Sequence, residues 1–301
     1  MQFGYACMEC ILKRYTKVAQ NHEDEQKGIA YVKEILRVLA DAPEGVAIPF
    51  LTPAFAEITE KYYGSDGADY EKAKRVSNEI MLRLLPELRE QVLAAGDPLQ
   101  TALALAQIAN YIDFTALYGK VDFDRLRELF RQTDRYLPEQ REYRRFCDDL
   151  KNAGRLIYIC DNAGEIVADR LAAEQITKRF PRVSLTFAVR GLPAVNDALR
   201  EDAAMAGLEQ FGRIVDNGSG ISGTQFGYLG AEMAEALSEA DVILAKGQGN
   251  FETMLGCGYN VYYSFLCKCE RFTEFFGVEP LTGMFINERR LGKCRFSEQT
   301  E

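Results

Sequence analysis

Leu156-Ile157-Tyr158-Ile159-Cys160-Asp161-Asn162-Ala163-Gly164-Glu165 is an apolar, β-branched run that stops on an acid and an amide and then turns on a glycine. A buried parallel strand reads this way, and its carboxyl end hands two oxygen-bearing side chains to a crevice. Downstream, Val183-Ser184-Leu185-Thr186-Phe187-Ala188-Val189 repeats the apolar run, and Arg190-Gly191-Leu192-Pro193-Ala194-Val195-Asn196-Asp197 ends on a second Asn-Asp pair. If the two strands are neighbours, their tips stand about 5 Å apart, and Asp161, Asn162 and Asp197 can share one divalent cation.

From Arg155 onward strand and helix alternate. Strands are expected at 156–160, 184–189, 213–215, 242–245 and 261–265, and helices at 166–179, 194–205, 224–238 and 251–256. The alternation predicts a parallel sheet covered by helices on both faces. Residues 1–150 read instead as helices: apolar positions recur at three and four spacing over 30–39 and 70–95, a more apolar central helix is expected over 99–118, and a charged helix over 141–152. The expected division is a helical subdomain over 1–150 followed by an α/β part over 151–301.

The chain has 301 residues, 36 basic and 45 acidic, for a formal charge of -9. Such a balance argues against a nucleic-acid groove or an anionic membrane surface as the main partner, while leaving room for a local basic pocket. No signal pattern and no apolar stretch of roughly 18 residues is present, so the expected address is cytoplasmic. Nothing in the sequence sets an oligomeric state. The single histidine, His22, lies in the polar stretch Asn21-His22-Glu23-Asp24-Glu25. Two-histidine metal sites and Ser-His-Asp hydrolysis therefore lack their residues, and any metal must be held by oxygen or sulfur.

Two carboxylates and an amide carbonyl make a hard oxygen set suited to Mg²⁺ or Mn²⁺, with Co²⁺ or Ni²⁺ as further occupants. Lys246, in Ala245-Lys246-Gly247-Gln248-Gly249-Asn250-Phe251-Glu252, is the cation expected to meet a phosphate oxygen, with the neighbouring glycines letting backbone amides approach. Gly218-Ser219-Gly220-Ile221-Ser222-Gly223-Thr224 is a second small-residue loop, able to cradle phosphate through its amides and the Thr224 hydroxyl. Glu165 and Asp169 share a helix face; Glu165 is either a partner that orients a ligand or a base that activates water. Taken singly, each of these has an ordinary reading: Asp-Asn is a common turn pair, Lys246 a surface lysine, and the two acids solvated carboxylates at a helix start. Coincidence of all of them at successive strand ends favours one metal and phosphate crevice. Its walls are expected around Phe226, Tyr228, Phe251 and Phe285.

Eight cysteines without a signal peptide read as thiols or metal ligands. Cys7-Met8-Glu9-Cys10 and Cys267-Lys268-Cys269 are two close pairs that could hold a structural Zn²⁺ or an iron centre, with unpaired reduced thiols as the alternative. Cys147, Cys160, Cys257 and Cys294 read as core or incidental.

Cys-Met-Glu-Cys at 7–10, Asp-Asn-Ala-Gly-Glu at 161–165, Arg-Gly-Leu-Pro-Ala-Val-Asn-Asp at 190–197, Asn-Gly at 217–218 with Gly-Thr at 223–224, and Lys-Gly-Gln-Gly-Asn-Phe-Glu at 246–252 together resemble the damage-control phosphatase family (domain of unknown function 89), in its prokaryotic, cysteine-bearing branch. The resemblance covers nearly the whole chain. It implies a three-layer α/β/α sandwich with a mostly parallel, Rossmann-like sheet and an amino-terminal helical subdomain. It also implies metal-dependent hydrolysis of phosphate monoesters, the partner being a small phosphorylated metabolite such as a sugar phosphate, a nucleotide or a phospho-cofactor. Asp161, Asn162 and Asp197 match the family's metal ligands, and Lys246 with Asn250 its phosphate-side motif. Gly247, Thr224, Arg190 and Asn196 complete the expected phosphate contacts, and Asp161, Lys246 and Glu165 the catalytic set. Phe251 stands where relatives often have Tyr, and Ala194 where Val is common. Two other readings are a non-catalytic nucleotide or sugar-phosphate binding module and, less favoured, a carboxyl methyltransferase, for which no cofactor-binding glycine motif is present.

Overall fold

Alternate residues of the strand that opens at Arg155 point into two different cores, and this two-sided burial organises the molecule. In the computed structural model, which describes residues 1–64, 70–113 and 121–291, Leu156 and Tyr158 enter one apolar cluster while Ile157 and Ile159 enter another on the opposite face. A strand covered on both sides has no reason to alternate polar with apolar, and its continuous apolar run follows from that.

The helices are α1 (Tyr5–Gln20), α2 (Glu25–Ala40), α3 (Thr52–Tyr63), α4 (Tyr70–Ala94), α5 (Pro98–Ala109), α6 (Phe123–Arg131) and α7 (Gln140–Asn152). They are followed by β1 (Arg155–Ile159), α8 (Glu165–Arg179), β2 (Ser184–Val189), α9 (Arg200–Ala206), β3 (Gly212–Asp216), α10 (Ala231–Glu239), β4 (Val242–Lys246), α11 (Gly247–Met254), β5 (Val261–Leu266), α12 (Glu270–Phe276) and β6 (Gly283–Asn287). The sheet order is β3-β2-β1-β4-β5-β6, all parallel except β6, which runs antiparallel to β5. The chain therefore fills one side of β1, then crosses to the other. The carboxyl ends of β1 and β4 flank the switch point where doubly wound sheets bind ligands.

One face of the sheet is covered by α4, α5, α7 and α8, whose apolar residues share a single core with β1 and β4. That core runs across residue 150: Met81, Ile108 and Phe146 belong to the same cluster as Tyr158 and Leu171. α5 is buried around its whole circumference from Leu99 to Ala109, as expected for a central helix. It ends at Asn110 rather than continuing along the expected 99–118 span, of which 114–118 lie outside the described residues. The opposite face is covered by α10, α11 and α12 through Met233, Leu237, Phe251, Met254 and Phe272. Helices α1, α2 and α3 have a third core of their own, centred on Tyr15, Tyr31, Ile35 and Phe55.

Three expected helices start elsewhere. Residues 194–199 are not helical, because Ala198 N donates to Asp161 O at 2.7 Å and Ala163 N to Asn196 O at 2.9 Å. α10 begins at Ala231, not Thr224, since Thr224 N is taken by Thr253 Oγ1 at 2.9 Å and Gly227 has φ +86°. α11 begins at Gly247, four residues before the expected start. The short antiparallel strand β6 has no counterpart among the expected strands.

Candidate active site

The turn after β1 and the loop after β2 are stitched together. β1 and β2 are neighbours, as the shared cation required, and Asn162 and Asp197 form an antiparallel bridge between the two segments. The bridge is entered by Val195 in a left-handed conformation, φ +49°, which a β-branched residue rarely adopts. Asp161 (8% exposed), Asn162 (3%) and Asp197 (6%) are thus gathered at one place and nearly withdrawn from water. Asn162 Nδ2 donates to Asp161 Oδ2 at 2.6 Å and to Glu165 Oε2 at 2.9 Å, which leaves its carbonyl oxygen as the coordinating atom. Burial, then Glu165 and Asp197 nearby, push the Asp161 carboxyl well above the usual carboxylate range. Burial likewise pushes Asp197 up to about 6, with Arg190 pulling the other way.

Arg190 is buried under this pair. Its Nε donates to Asp197 Oδ2 at 2.6 Å, its Nη2 stands 3.6 Å from Asp161 Oδ1, and neither Nη has a hydrogen-bond partner. Asn196 Oδ1 is buried and unpartnered too. Two desolvated carboxylates with one arginine to balance them, and an amide carbonyl beside them in the cavity lining, form a hard-oxygen set, and a divalent cation fits its chemistry.

Lys246 lies deeper than expected. Fully buried, its ammonium donates to Glu165 Oε1 at 2.8 Å, Asp169 Oδ1 at 2.7 Å and Ala106 O at 2.9 Å. All three protons are committed within the protein, so this geometry does not present Lys246 to a phosphate. Nor are Glu165 and Asp169 solvated: both are 0% exposed. Glu165 Oε2 accepts from Asn110 Nδ2 and Asn162 Nδ2, both at 2.9 Å, and Asp169 Oδ1 from Tyr158 Oη at 2.7 Å. Glu165 is placed to orient Asn162 rather than to reach water. Burial, outweighing Lys246 and aided by Glu165, pushes Asp169 up to about 6.

Thr224 and Asn250 also turn inward. Thr224 Oγ1 donates to Asn250 Oδ1 at 2.9 Å, and Asn250 Nδ2 donates to Lys246 O at 2.7 Å and Cys160 O at 3.3 Å. This clamp fastens the loop after β3 to the start of α11 and spends both side chains. Gly247, at φ +79°, supplies space instead of an amide cradle: a Cβ there would lie 1.9 Å from Asp161 Oδ2.

A cavity of about 480 Å³ opens over Asp161, Asn162 and Asp197, a size suited to a small metabolite. Ser222, Gln248 and Gly249 line it near the carboxylates, and Ser222 Oγ is buried without a partner. One wall comes from Cys7, Cys10, Arg14 and Tyr15 of α1 with Pro49 and Phe55, not from Phe226, Tyr228, Phe251 or Phe285. Phe251 and Phe285 are core residues, Phe226 stacks on Tyr259 and Tyr228 is 57% exposed. α1 carries the third core on one face and this wall on another.

The four-cysteine set is divided in the loop between β5 and α12. Cys269 faces the cavity with Cys7 and Cys10, whereas Cys267 is fully buried in the apolar core beside Phe265. Among the described residues no group of three or more His, Cys, Asp or Glu is gathered in metal-holding geometry, so the two cysteine pairs do not form a ready site. Cys147 and Cys160 are buried as expected, Cys257 is half-buried, and Cys294 lies outside the described residues.

Asn110 was not singled out from the sequence. Its Nδ2 bridges Asp161 Oδ2 at 3.1 Å and Glu165 Oε2 at 2.9 Å, and its Oδ1 accepts from Leu266 N at 3.1 Å. An Asn closing an apolar helix, in Ile108-Ala109-Asn110, reads as a helix end; only its place under the strand tips reveals the second role.

The family model for the damage-control phosphatase ARMT1-like domain matches residues 4–281. The chain belongs to the damage-control phosphatase family. An uncharacterized protein of Methanocaldococcus jannaschii is 29% identical over 91% of this chain and 91% of that one. A damage-control phosphatase of Archaeoglobus fulgidus is 29% identical over 92% and 96% of the two chains, and one of Pyrococcus horikoshii 29% over 84% and 86%. The crystal structure of a DUF89 family protein from Pyrococcus horikoshii superposes with a TM-score of 0.79 at 26% identity, covering 96% of this chain and 99% of that one. The damage-control phosphatase fold therefore extends over the helical half as well as the sheet. Among the described residues no helix is long and apolar enough to cross a membrane.

Proposed function

We propose that this protein is a metal-dependent phosphatase acting on phosphate monoesters of small metabolites. The observation that carries the reading is the gathering of two desolvated carboxylates, Asp161 and Asp197, by the bridge between Asn162 and Asp197, with all three residues lining the cavity. Asp161, Asp197 and Asn162 would hold the ion, of the Mn²⁺, Co²⁺, Ni²⁺ or Mg²⁺ type, and when bound it supplies positive charge to polarise phosphoryl oxygens.

The chain's own residues do the rest. Arg190, buried beneath the two carboxylates, balances their charge. Glu165 and Asn110 fix the Asp161 and Asn162 side chains in place before substrate arrives, so no reorganisation is needed as charge develops. Ser222 and the Gly249 backbone line the cavity beside them and supply neutral contacts for the phosphate. Lys246 acts through Glu165, as a positioning residue.

Relatives bearing the name damage-control phosphatase support the activity. A screen of sugar phosphates, nucleotides and phospho-cofactors with each of the four metals tests it, reading released inorganic phosphate. Metal-dependent release that vanishes in Asp161→Ala is expected. Full activity in that variant would overturn the assignment of the site to Asp161, and ligand-induced thermal stabilisation with no release in any metal would overturn the proposal in favour of a binding protein.

A further inference from the structure

The mechanism above uses no thiol, yet three of them stand in its cavity. Cys7 and Cys10 lie three residues apart on α1, hence on one helix face, and both line the cavity that holds Asp161 and Asp197; Cys269 lines it from the sheet side. Cys7 sits in the first turn of a 16-residue helix, and Arg271 Nη1 donates to its Sγ at 3.1 Å. A guanidinium on the sulfur and a helix amino terminus are the surroundings in which cysteines act as nucleophiles. Cys10 is exposed and Cys7 half-buried, so a small reagent entering the cavity reaches both. Residues three apart on a helix have Cβ atoms about 5–6 Å apart, against about 3.5–4.5 Å in a disulfide, and unwinding the first helical turn, which holds Cys7, closes that gap. The buried thiols offer a contrast: Cys147, Cys160 and Cys267 are enclosed in the cores and have no such access.

We propose that Cys7 and Cys10 form a thiol–disulfide exchange site for low-molecular-weight disulfides, built into the wall of the substrate cavity. The Cys7 thiolate, its proton released to solvent, attacks one sulfur of R–S–S–R; a Cys7–S–R bond forms, the S–S bond breaks, and RS⁻ leaves and takes up a proton. Cys10, losing its proton in turn, then attacks Cys7 Sγ, forming the Cys7–Cys10 disulfide and releasing the second RSH. The two cysteines are oxidised by two electrons and the small disulfide is reduced to two thiols. While the first adduct persists, its R group occupies the cavity over Asp161 and Asp197 and shuts out substrate. This last consequence rests on the phosphatase reading; the exchange itself does not.

The test uses the full chain, reduced and then treated with oxidised glutathione, with intact mass and peptide mapping as the readout. Wild type is expected to lose two hydrogens, mapping to a Cys7–Cys10 bond. Cys10→Ser is expected to stop at one glutathione adduct on Cys7, and Cys7→Ser to give no bond between these positions. An unmodified Cys10→Ser variant, or adducts only at Cys257 or Cys269, would overturn the site regardless of any phosphatase activity. For the coupling, phosphate release by the trapped Cys10→Ser adduct should fall at least tenfold and recover on addition of a reductant. Undiminished release by the fully modified protein would sink the coupling while leaving the phosphatase reading intact.

Discussion

Lys246 shows how one buried charge changes what a substitution does. Read as a phosphate contact it could be removed with the fold intact; held between Glu165 and Asp169, it cannot. Lys246→Ala leaves two carboxylates facing each other in the core, at a cost of about 3–5 kcal/mol, to be seen as a lower urea midpoint. Asn110→Ala removes the amide that ties Asp161 to Glu165 and should weaken metal affinity by roughly 10–100-fold, measured by calorimetric titration. Asp169 gives a pH signature. Its carboxyl titrates near 6 in the folded protein against an ordinary 3.8, so between these values the folded state binds more protons than the unfolded one. Stability from this group is greatest below pH 4 and declines as pH rises toward 6, by up to about 1.4 kcal/mol per unit. Asp169→Asn should flatten that part of the stability curve measured without metal, and an unchanged slope would remove Asp169 as its cause.

At the scale of elements, the close approach of α11 to the tip of β1 depends on one missing side chain. Gly247→Ala places a methyl in the space of the Asp161 carboxylate at a positive φ, so Asp161 must move and metal-dependent activity should drop by ~10² or more, with helix content unchanged by circular dichroism. How far the sequence discloses the elements follows from burial. β1 and β4 are legible because both faces are apolar, and the position of Asp161 and Asn162 because an abrupt polar stop ends such a strand. The helix starts expected at 194 and 224 are displaced because backbone N–H groups there, of Ala198 and Thr224, donate to distant partners, Asp161 O and Thr253 Oγ1, that no local pattern contains. The cavity wall was misassigned for the same reason: aromatic residues near the loops look like pocket walls, yet α1, some 150 residues upstream, supplies most of that wall.

For the whole molecule, metal binding should be visible as stabilisation. With a divalent ion at 100 times its dissociation constant the expected gain is about 2.7 kcal/mol, lost in Asp197→Ala and on chelation, and a thermal melt reads both. The continuous core across residue 150 adds a constraint of another kind. Helices α4, α5 and α7 bury their apolar faces against β1 and α8, so a fragment covering 153–301 alone should lack a cooperative unfolding transition. The same continuity has a bearing on synthesis. As the chain leaves the ribosome, amino end first, the apolar faces of α4 to α7 emerge before the strand and helix that cover them exist. Some eighty residues must wait, with their apolar faces exposed, for roughly the next thirty to be made, and it is in that interval that the nascent protein is most open to aggregation and to capture by chaperones.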